Sequence, residues 1–498
     1  MVEYAMYFQM VEHFTSNNLF HPNHHGSLAN HSTATAIIQL FDMCLEAAES
    51  GEISALCLLD QSAAYDLLCH QTLKEKLKIY NFDDSAIEWV MSYLEGRTQL
   101  VQVESRTSSP LDCGDSAVPQ GSVLGGLLHV INSNDFPACH EEGEAVVYVD
   151  DDSDFAKDKD PAVLQRKIQK EADDSSQWLR DNRLCVAGDK SKLLVLATGE
   201  ARATRDLNEV MKITVDGKEV VESSSEKLLG VVLNSQLTWK SHLYGDKDNK
   251  GLIPQLNQRI GMLKRLSKFM SKKKLKHFSE GIFYSKLNYC LPVFGNVFGL
   301  DTYKEVNRRY YSFTVKDNNN IQVLQNKLNR LLLDADYNTS TQDLLNKTDT
   351  LSIHQMVAYH TAVNTYKIIK SGKPTYIAMK MKGRQLNMTT RQGASTVTIP
   401  GYKLNIAREG FIYRGATIFN KLDVNIRTEA KLSKFKLEVK KWVKKNIPIK
   451  PRPAFQSIAT VQYQPPPPPP EPPPYHGPPT TQRTILDYFT QGQRINSS

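Results

Sequence analysis

The chain has no Cys-x-x-Cys pair and no cysteine–histidine knuckle, which argues against a structural zinc. Its seven cysteines, at 44, 57, 69, 113, 139, 185 and 290, lie scattered through 498 residues. That spacing excludes a disulfide scaffold and fits a reducing compartment, cytosol or nucleus. There is no signal peptide and no apolar run long enough to span a bilayer. Internal repeats are not evident. No single charge dominates: the net charge is +7, although the basic residues cluster. The length itself implies several domains and an ample core.

What is present begins at Ala145-Val-Val-Tyr-Val-Asp-Asp-Asp-Ser-Asp-Phe155. An apolar, β-rich run ends in adjacent carboxylates, Asp150 and Asp151. Burying charge at a strand end is costly unless something compensates it, and a bound metal is one such compensation. Upstream, Ala55-Leu-Cys-Leu-Leu59 forms a second apolar run that ends in Asp60, with Tyr65-Asp66 soon after. If the two strands are neighbours, their carboxylates face one another. Between them lies Val118-Pro-Gln-Gly-Ser-Val-Leu-Gly-Gly126, a turn that lets backbone approach a ligand, followed by a helix-like apolar stretch. Each block alone reads as an ordinary strand end, turn or loop; it is their order that is informative.

In that order the chain resembles the reverse transcriptases of non-LTR (LINE-type) retrotransposons of the jockey/CR1 kind. Leu59 to Asp66 looks like motif A, Pro119 to Gly125 like motif B, and Tyr148-Val-Asp-Asp151 like motif C. Trp178-Leu-Arg-Asp-Asn182 with Lys190-Ser-Lys192 is similar to motif D. Lys227-Leu-Leu-Gly-Val-Val-Leu, running on to Trp239 and His242, is similar to the motif E primer grip. His24-His-Gly-Ser with His31 to Ala36 resembles the fingers-to-palm block. The likeness covers roughly residues 1–450.

The resemblance implies a right-hand polymerase, a mixed α/β (α+β) fold with an antiparallel palm sheet, partial fingers and a helical thumb. It assigns Asp60, Asp150 and Asp151 to a pair of Mg²⁺ ions that promote attack of a DNA 3′-hydroxyl on a deoxynucleoside triphosphate. Tyr65 falls where the family sets a ring against the sugar, Gln120 and Gly121 where it approaches the incoming nucleotide, and Tyr148 beside the catalytic pair. Lys190 falls near the pyrophosphate as a general acid. RNA template and DNA primer are the implied partners. Asp152 and Asp154, which the family does not use, read as solvated acids. Departures are Gly26-Ser27-Leu28 where the family has Gly-Phe-Arg, Gly126 for a proline, and His129 for an aromatic or aliphatic residue. The family's upstream fingers block and endonuclease have no counterpart here, so the chain reads as N-terminally truncated. A competing reading is a catalytically silent, retrotransposon-derived binder of nucleic acid and sliding clamp.

The domain expectation is fingers remnant and palm over 1–200, primer grip over 201–245, helical thumb and connection over 246–375, a basic region over 376–450 and a tail over 451–498. In the thumb, Lys264-Arg265, Lys268, Lys272-Lys-Lys274 and Lys276 share a helix-like stretch with Met262, Leu263, Leu266 and Phe269, suited to phosphate contact. Lys431 to Lys445 repeats the theme around Leu432, Phe435, Val439 and Trp442, where binding and simple packing stay open. The tail's Pro465–Pro470 and Pro472–Pro474 make a stiff, disordered segment that reads first as a plain spacer, while Pro472-Pro-Pro-Tyr475 also fits a WW-domain ligand. Gln482, Ile485, Tyr488 and Phe489 resemble the box that docks on the DNA sliding clamp, an apolar plug with a polar anchor.

Overall fold

A computed structural model describes residues 1–62, 64–204, 210–299, 312–382 and 396–450. The chain divides into a unit Met1–Ala454 and a second, Phe455–Ser498, which lies outside the described residues together with the clamp-box and Pro-Pro-x-Tyr positions.

The first unit is mixed α and β. Its main sheet orders the strands Lys212–Val215, Lys218–Ser223, Lys192–Leu196, Ile53–Ser62, Asp151–Asp158 and Glu144–Tyr148 from edge to edge, with Cys185–Val186 added at the end of Ile53–Ser62. Every pairing is antiparallel except that between Lys218–Ser223 and Lys192–Leu196. Strand alternation splits the central strand between two cores. Ile53, Ala55, Cys57 and Leu59 meet Leu164, Ile168 and Ala172 of the helix Pro161–Asp181. Leu56 joins the larger core that contains the helix Thr33–Glu49. Full burial contributes roughly 1.5–3 kcal/mol for each Leu or Ile, so the register is strongly fixed, because a one-residue slip would exchange the two faces.

Local signals set the element ends. Ser32 and Thr35 form a reciprocal capping box at the start of Thr33–Glu49, and Asp160 caps Pro161–Asp181, which carries proline in its first turn. Within the segment expected to be a primer grip, Ser225–Leu228 and Val231–Asn234 form a hairpin. Its two turn residues, Leu229 and Gly230, both have positive φ, as a two-residue hairpin turn requires.

Beyond residue 250 the described chain is helical. The helix Leu252–Leu266 stops before Lys272–Ser279 begins under a Ser271 cap. The basic stretch is therefore two helices rather than one, and Phe269, between them, is solvent-exposed. In Leu432–Asn446 the buried seam is Phe435, Val439 and Val443 rather than Trp442. Several of its lysines are engaged within the protein: Lys440 and Lys444 hold Asp349 at 2.9 and 2.7 Å, and Lys434 holds Glu429 at 2.8 Å. Arg414 is buried and donates to the carbonyls of Gly295, Pro292 and Val293, closing the C-terminal end of the short helix Leu291–Phe294. No helix among the described residues is long and apolar enough to cross a membrane.

Candidate active site

Contrary to expectation, the two apolar runs that end in carboxylates are not neighbours. The chain turns back after Tyr148, and Asp151–Asp158 lies between Glu144–Tyr148 and Ile53–Ser62, antiparallel to both, with Asp60 directly opposite Asp151. Opposed residues point to the same face, so the two carboxylates share it. Burial raises the Asp151 pKa, with further contributions from the charges of Asp150 and Asp60. Three like charges therefore meet where the strands end. Lys190 approaches this cluster, its Nζ 3.2 Å from Asp60 Oδ2. Backbone geometry brings it there: Ala187 donates to the Asp60 carbonyl at 3.0 Å, and Lys190 N bonds back to Ala187 O at 2.9 Å.

The turn carrying Asp150 is tight. Val149 has φ of 64°, a conformation that β-branched residues rarely adopt and one that costs of order 1–3 kcal/mol. The segment around His24 braces it: His25 N donates to Val147 O at 2.8 Å, and Val147 N to Asn23 O at 3.0 Å. A Cβ on Gly26 would stand 2.5 Å from Val149 N, so only glycine permits this approach. His25 is fixed between Thr35 and Gln39, 2.9 Å from each, and burial holds it neutral with a pKa of about 3.

A cavity of about 530 Å³ opens beside Asp150, lined also by Tyr65, Gln120, Gly121, Ser122 and Gly126. Tyr65 stacks on His129, with ring centroids 4.8 Å apart. Burial drives His129 down to a pKa of about 4, against an upward pull from Asp150, so it is a neutral platform at pH 7. Gln120 donates to Asp66 at 3.2 Å, and Gly121 supplies a φ of 81°. Gly125 opens the following helix against Pro119 O, which a Cβ there would approach to 2.5 Å. Tyr148 is half-buried opposite Asp151. Nearby, Tyr289 donates to Leu229 O in the hairpin turn at 2.6 Å.

Residues 2–233 match the family model described as reverse transcriptase (RNA-dependent DNA polymerase). The chain is similar to the RNA-directed DNA polymerase from mobile element jockey of Drosophila melanogaster, 27% identical over 229 residues, covering 44% of this chain and 24% of that protein. It is also similar to the Drosophila funebris jockey enzyme, at 24% identity over 327 residues and 64% and 32% coverage. The probable RNA-directed DNA polymerase from transposon BS of D. melanogaster is 25% identical over 351 residues, covering 68% and 36%. Residues 2–233 belong to the reverse transcriptase family. The domain is of the LINE-type, non-LTR kind that its motifs imply. The chain spans a quarter to about a third of the length of these relatives. Among solved structures, apo telomerase from Candida Tropicalis is 14% identical, with a TM-score of 0.39, covering 76% of this chain and 59% of that one.

Sequence reasoning missed a second acidic layer beneath this surface of the reverse transcriptase domain. Asp152 and Asp154, expected to be solvated, are 1% and 0% exposed. They lie opposite Leu59 and Cys57, on the face covered by Pro161–Asp181. Gln61 donates to Asp152 at 2.5 Å, yet burial still raises the Asp152 pKa well above the carboxylate range. Asp154 accepts from Ser175 at 3.0 Å and pairs with His140 Nε2 at 3.1 Å. Burial lowers the His140 pKa, but Asp154 outweighs it and carries it up to about 11. The available signal was the Asp-x-Asp alternation in register with Leu59 and Cys57. His140 and Ser175 carried none, because they reach Asp154 only through the fold.

All the donors gathered at Asp60, Asp150 and Asp151 are hard carboxylate oxygens, the type that suits a divalent cation such as Mg²⁺. Among the described residues, no three His, Cys, Asp or Glu side chains form a ready-made metal cluster. Mg²⁺ keeps waters and takes phosphate oxygens from its substrate, so a closed protein cage is not required.

Proposed function

We propose that this chain supplies the polymerase portion of a non-LTR retrotransposon reverse transcriptase, adding deoxynucleotides to a DNA 3′ end on an RNA template. The observation that carries the reading is the register Asp60 opposite Asp151, with Asp150 lining the adjoining cavity. Asp60, Asp150 and Asp151 would hold two Mg²⁺ ions, which when bound lower the barrier to in-line phosphoryl transfer. Tyr65, seated on His129, would close the cavity wall against a sugar 2′-hydroxyl. Gln120 and the backbone at Gly121 would contact the incoming nucleotide. Lys190 would give a proton to the departing pyrophosphate, its ammonium held until then by Asp60. The palm, fingers and thumb assignments, and the domain boundaries given above, belong to the same proposal.

The tail extends it: Gln482, Ile485, Tyr488 and Phe489 would dock on a DNA sliding clamp and Pro472–Tyr475 on a WW domain, both on residue pattern alone. A nuclear and cytoplasmic location belongs to the same proposal.

One observation favours the silent binder instead. Among the described residues lining the cavity at Asp150 none is basic, and Ser27-Leu28 stand where the family carries an arginine. Primer extension on poly(rA)/oligo(dT) with Mg²⁺ separates the two. Extension by the parent, reduced at least about 10³-fold in Asp150→Ala/Asp151→Ala, is expected of the enzyme. No extension with duplex binding retained would leave the binder.

A further inference from the structure

The C-terminal helices enclose a cavity of about 700 Å³ remote in sequence from the polymerase motifs, between Ile353–Ser371, Thr375–Met381 and Phe411–Lys421. Arg427 lines it. That side chain is 7% exposed, yet its Nε and Nη1 have no hydrogen-bond partner. A buried guanidinium with unpaired donors is costly, and such groups in folded proteins are normally satisfied. Lys370 and Lys382 line the same cavity, and no carboxylate does so among the described residues. The carboxylate of Glu429, two residues on, is taken up by Lys434 at 2.8 Å and by Lys431 N at 3.0 Å. Three cations without a counter-charge, one of them a buried planar fork, suit a phosphate, which guanidinium binds through two parallel hydrogen bonds.

The rest of the wall narrows the ligand. Met379, Met381 and Phe419 make it apolar, with soft, adaptable surface for a flat ring. The side is rigid: Tyr366 donates to the carbonyls of Glu429 and Ala430 at 2.7 and 3.0 Å, and its ring stacks on Phe435 at 3.9 Å. We infer that this cavity binds a nucleotide, its phosphate on Arg427 and its base against the methionine and phenylalanine wall. The nucleotide is either free or one unit of a single strand. The site is separate from the polymerase reading, since neither Asp60 nor Asp150 enters it, and it would stand if primer extension failed.

Thermal unfolding of the full chain and of Arg427→Met, with matched concentrations of AMP, adenosine, inorganic phosphate and a short 5′-phosphorylated RNA, tests this. AMP or the RNA should raise the parent's midpoint by about 2 °C or more beyond any rise in the variant. Any AMP taken up near Asp150 cancels in that difference. A response to AMP marks a free nucleotide as sufficient, and a response to RNA alone marks the strand as the source. Adenosine should have no effect. In phosphate-free buffer Arg427→Met should be at least as stable as the parent, because it removes an unpaired buried charge. Lys370→Met/Lys382→Met, at the cavity rim, should retain that baseline and weaken the AMP response severalfold. Equal responses of parent and Arg427→Met would overturn the inference. So would inorganic phosphate matching AMP, or an Arg427→Met baseline below the parent's.

Discussion

Asp151 and Asp154 stand three residues apart on one strand and meet opposite fates. Asp151 shares a face with Asp60 at the open end of the sheet, and its neighbours there are other carboxylates. Asp154 points the other way, under the helix Pro161–Asp181, and its neighbours are His140 and Ser175. The same side chain on the same strand thus serves two purposes. Gathered like charge at the strand end would suit the cation proposed above; paired charge beneath it is held by His140 and Ser175. The comparison teaches that the acidic run is two layers, separated by strand alternation alone.

The comparison breaks most visibly at the lower layer. Asp154→Ala strands the imidazolium of His140 in the interior, and removing one partner of a buried pair typically costs 3–5 kcal/mol. Chemical denaturation should register a loss of about that size, whereas Asp151→Ala should change stability by less than about 1 kcal/mol, as substitutions away from such buried partners do. The same pair gives a pH signature. His140 has its folded pKa raised to about 11, so its contribution is complete below about 6.5 and is lost as pH rises toward 11. Unfolding free energy should fall across that window in the parent and fall less in Asp154→Ala.

Gly26→Ala sharpens the upper layer without touching a carboxylate. Its new Cβ would displace the Val149 turn, and a shift approaching 1 Å at the reacting centre costs about 10²-fold in rate. Steady-state kinetics should show the loss in kcat, with duplex affinity unchanged. The smallest effect belongs to an exposed counter-example. Lys444 and Lys440 pull Asp349 down to a pKa of about 2, but in solvent such pairs are worth about 0–1 kcal/mol. Asp349→Asn should therefore cost less than about 1 kcal/mol, and added salt should erase the difference.

What was legible in the sequence follows the same division. The apolar runs stopped by Asp60 and Asp150 were legible as strands, but their direct pairing was not realised: the turn after Tyr148 sets Asp151–Asp158 between them, and it is that strand that brings Asp151 opposite Asp60. The Pro119–Gly125 turn and the Leu229–Gly230 hairpin were legible because glycine marks the backbone that needs it. The burial of Asp152 and Asp154 was not, since an acid-rich run looks solvated until the register sets alternate residues under a helix. The break at Ser267–Ser271 was hidden by basic residues continuing at helical spacing on either side. Arg427 and its cavity left no trace, because the walls come from separate segments spread between Tyr366 and Thr428 that only the fold brings together.

The central claim, that Asp60, Asp150 and Asp151 share a divalent cation, is tested most directly by iron-mediated backbone cleavage. Fe²⁺ replaces Mg²⁺ at oxygen sites, and the radicals it generates cut the chain nearby, independent of polymerase activity. The account predicts cuts clustered near residue 60 and near residues 148–151, suppressed by excess Mg²⁺ and absent from Asp150→Ala/Asp151→Ala. Cleavage elsewhere, or cleavage at these positions unchanged in the double variant, would contradict it.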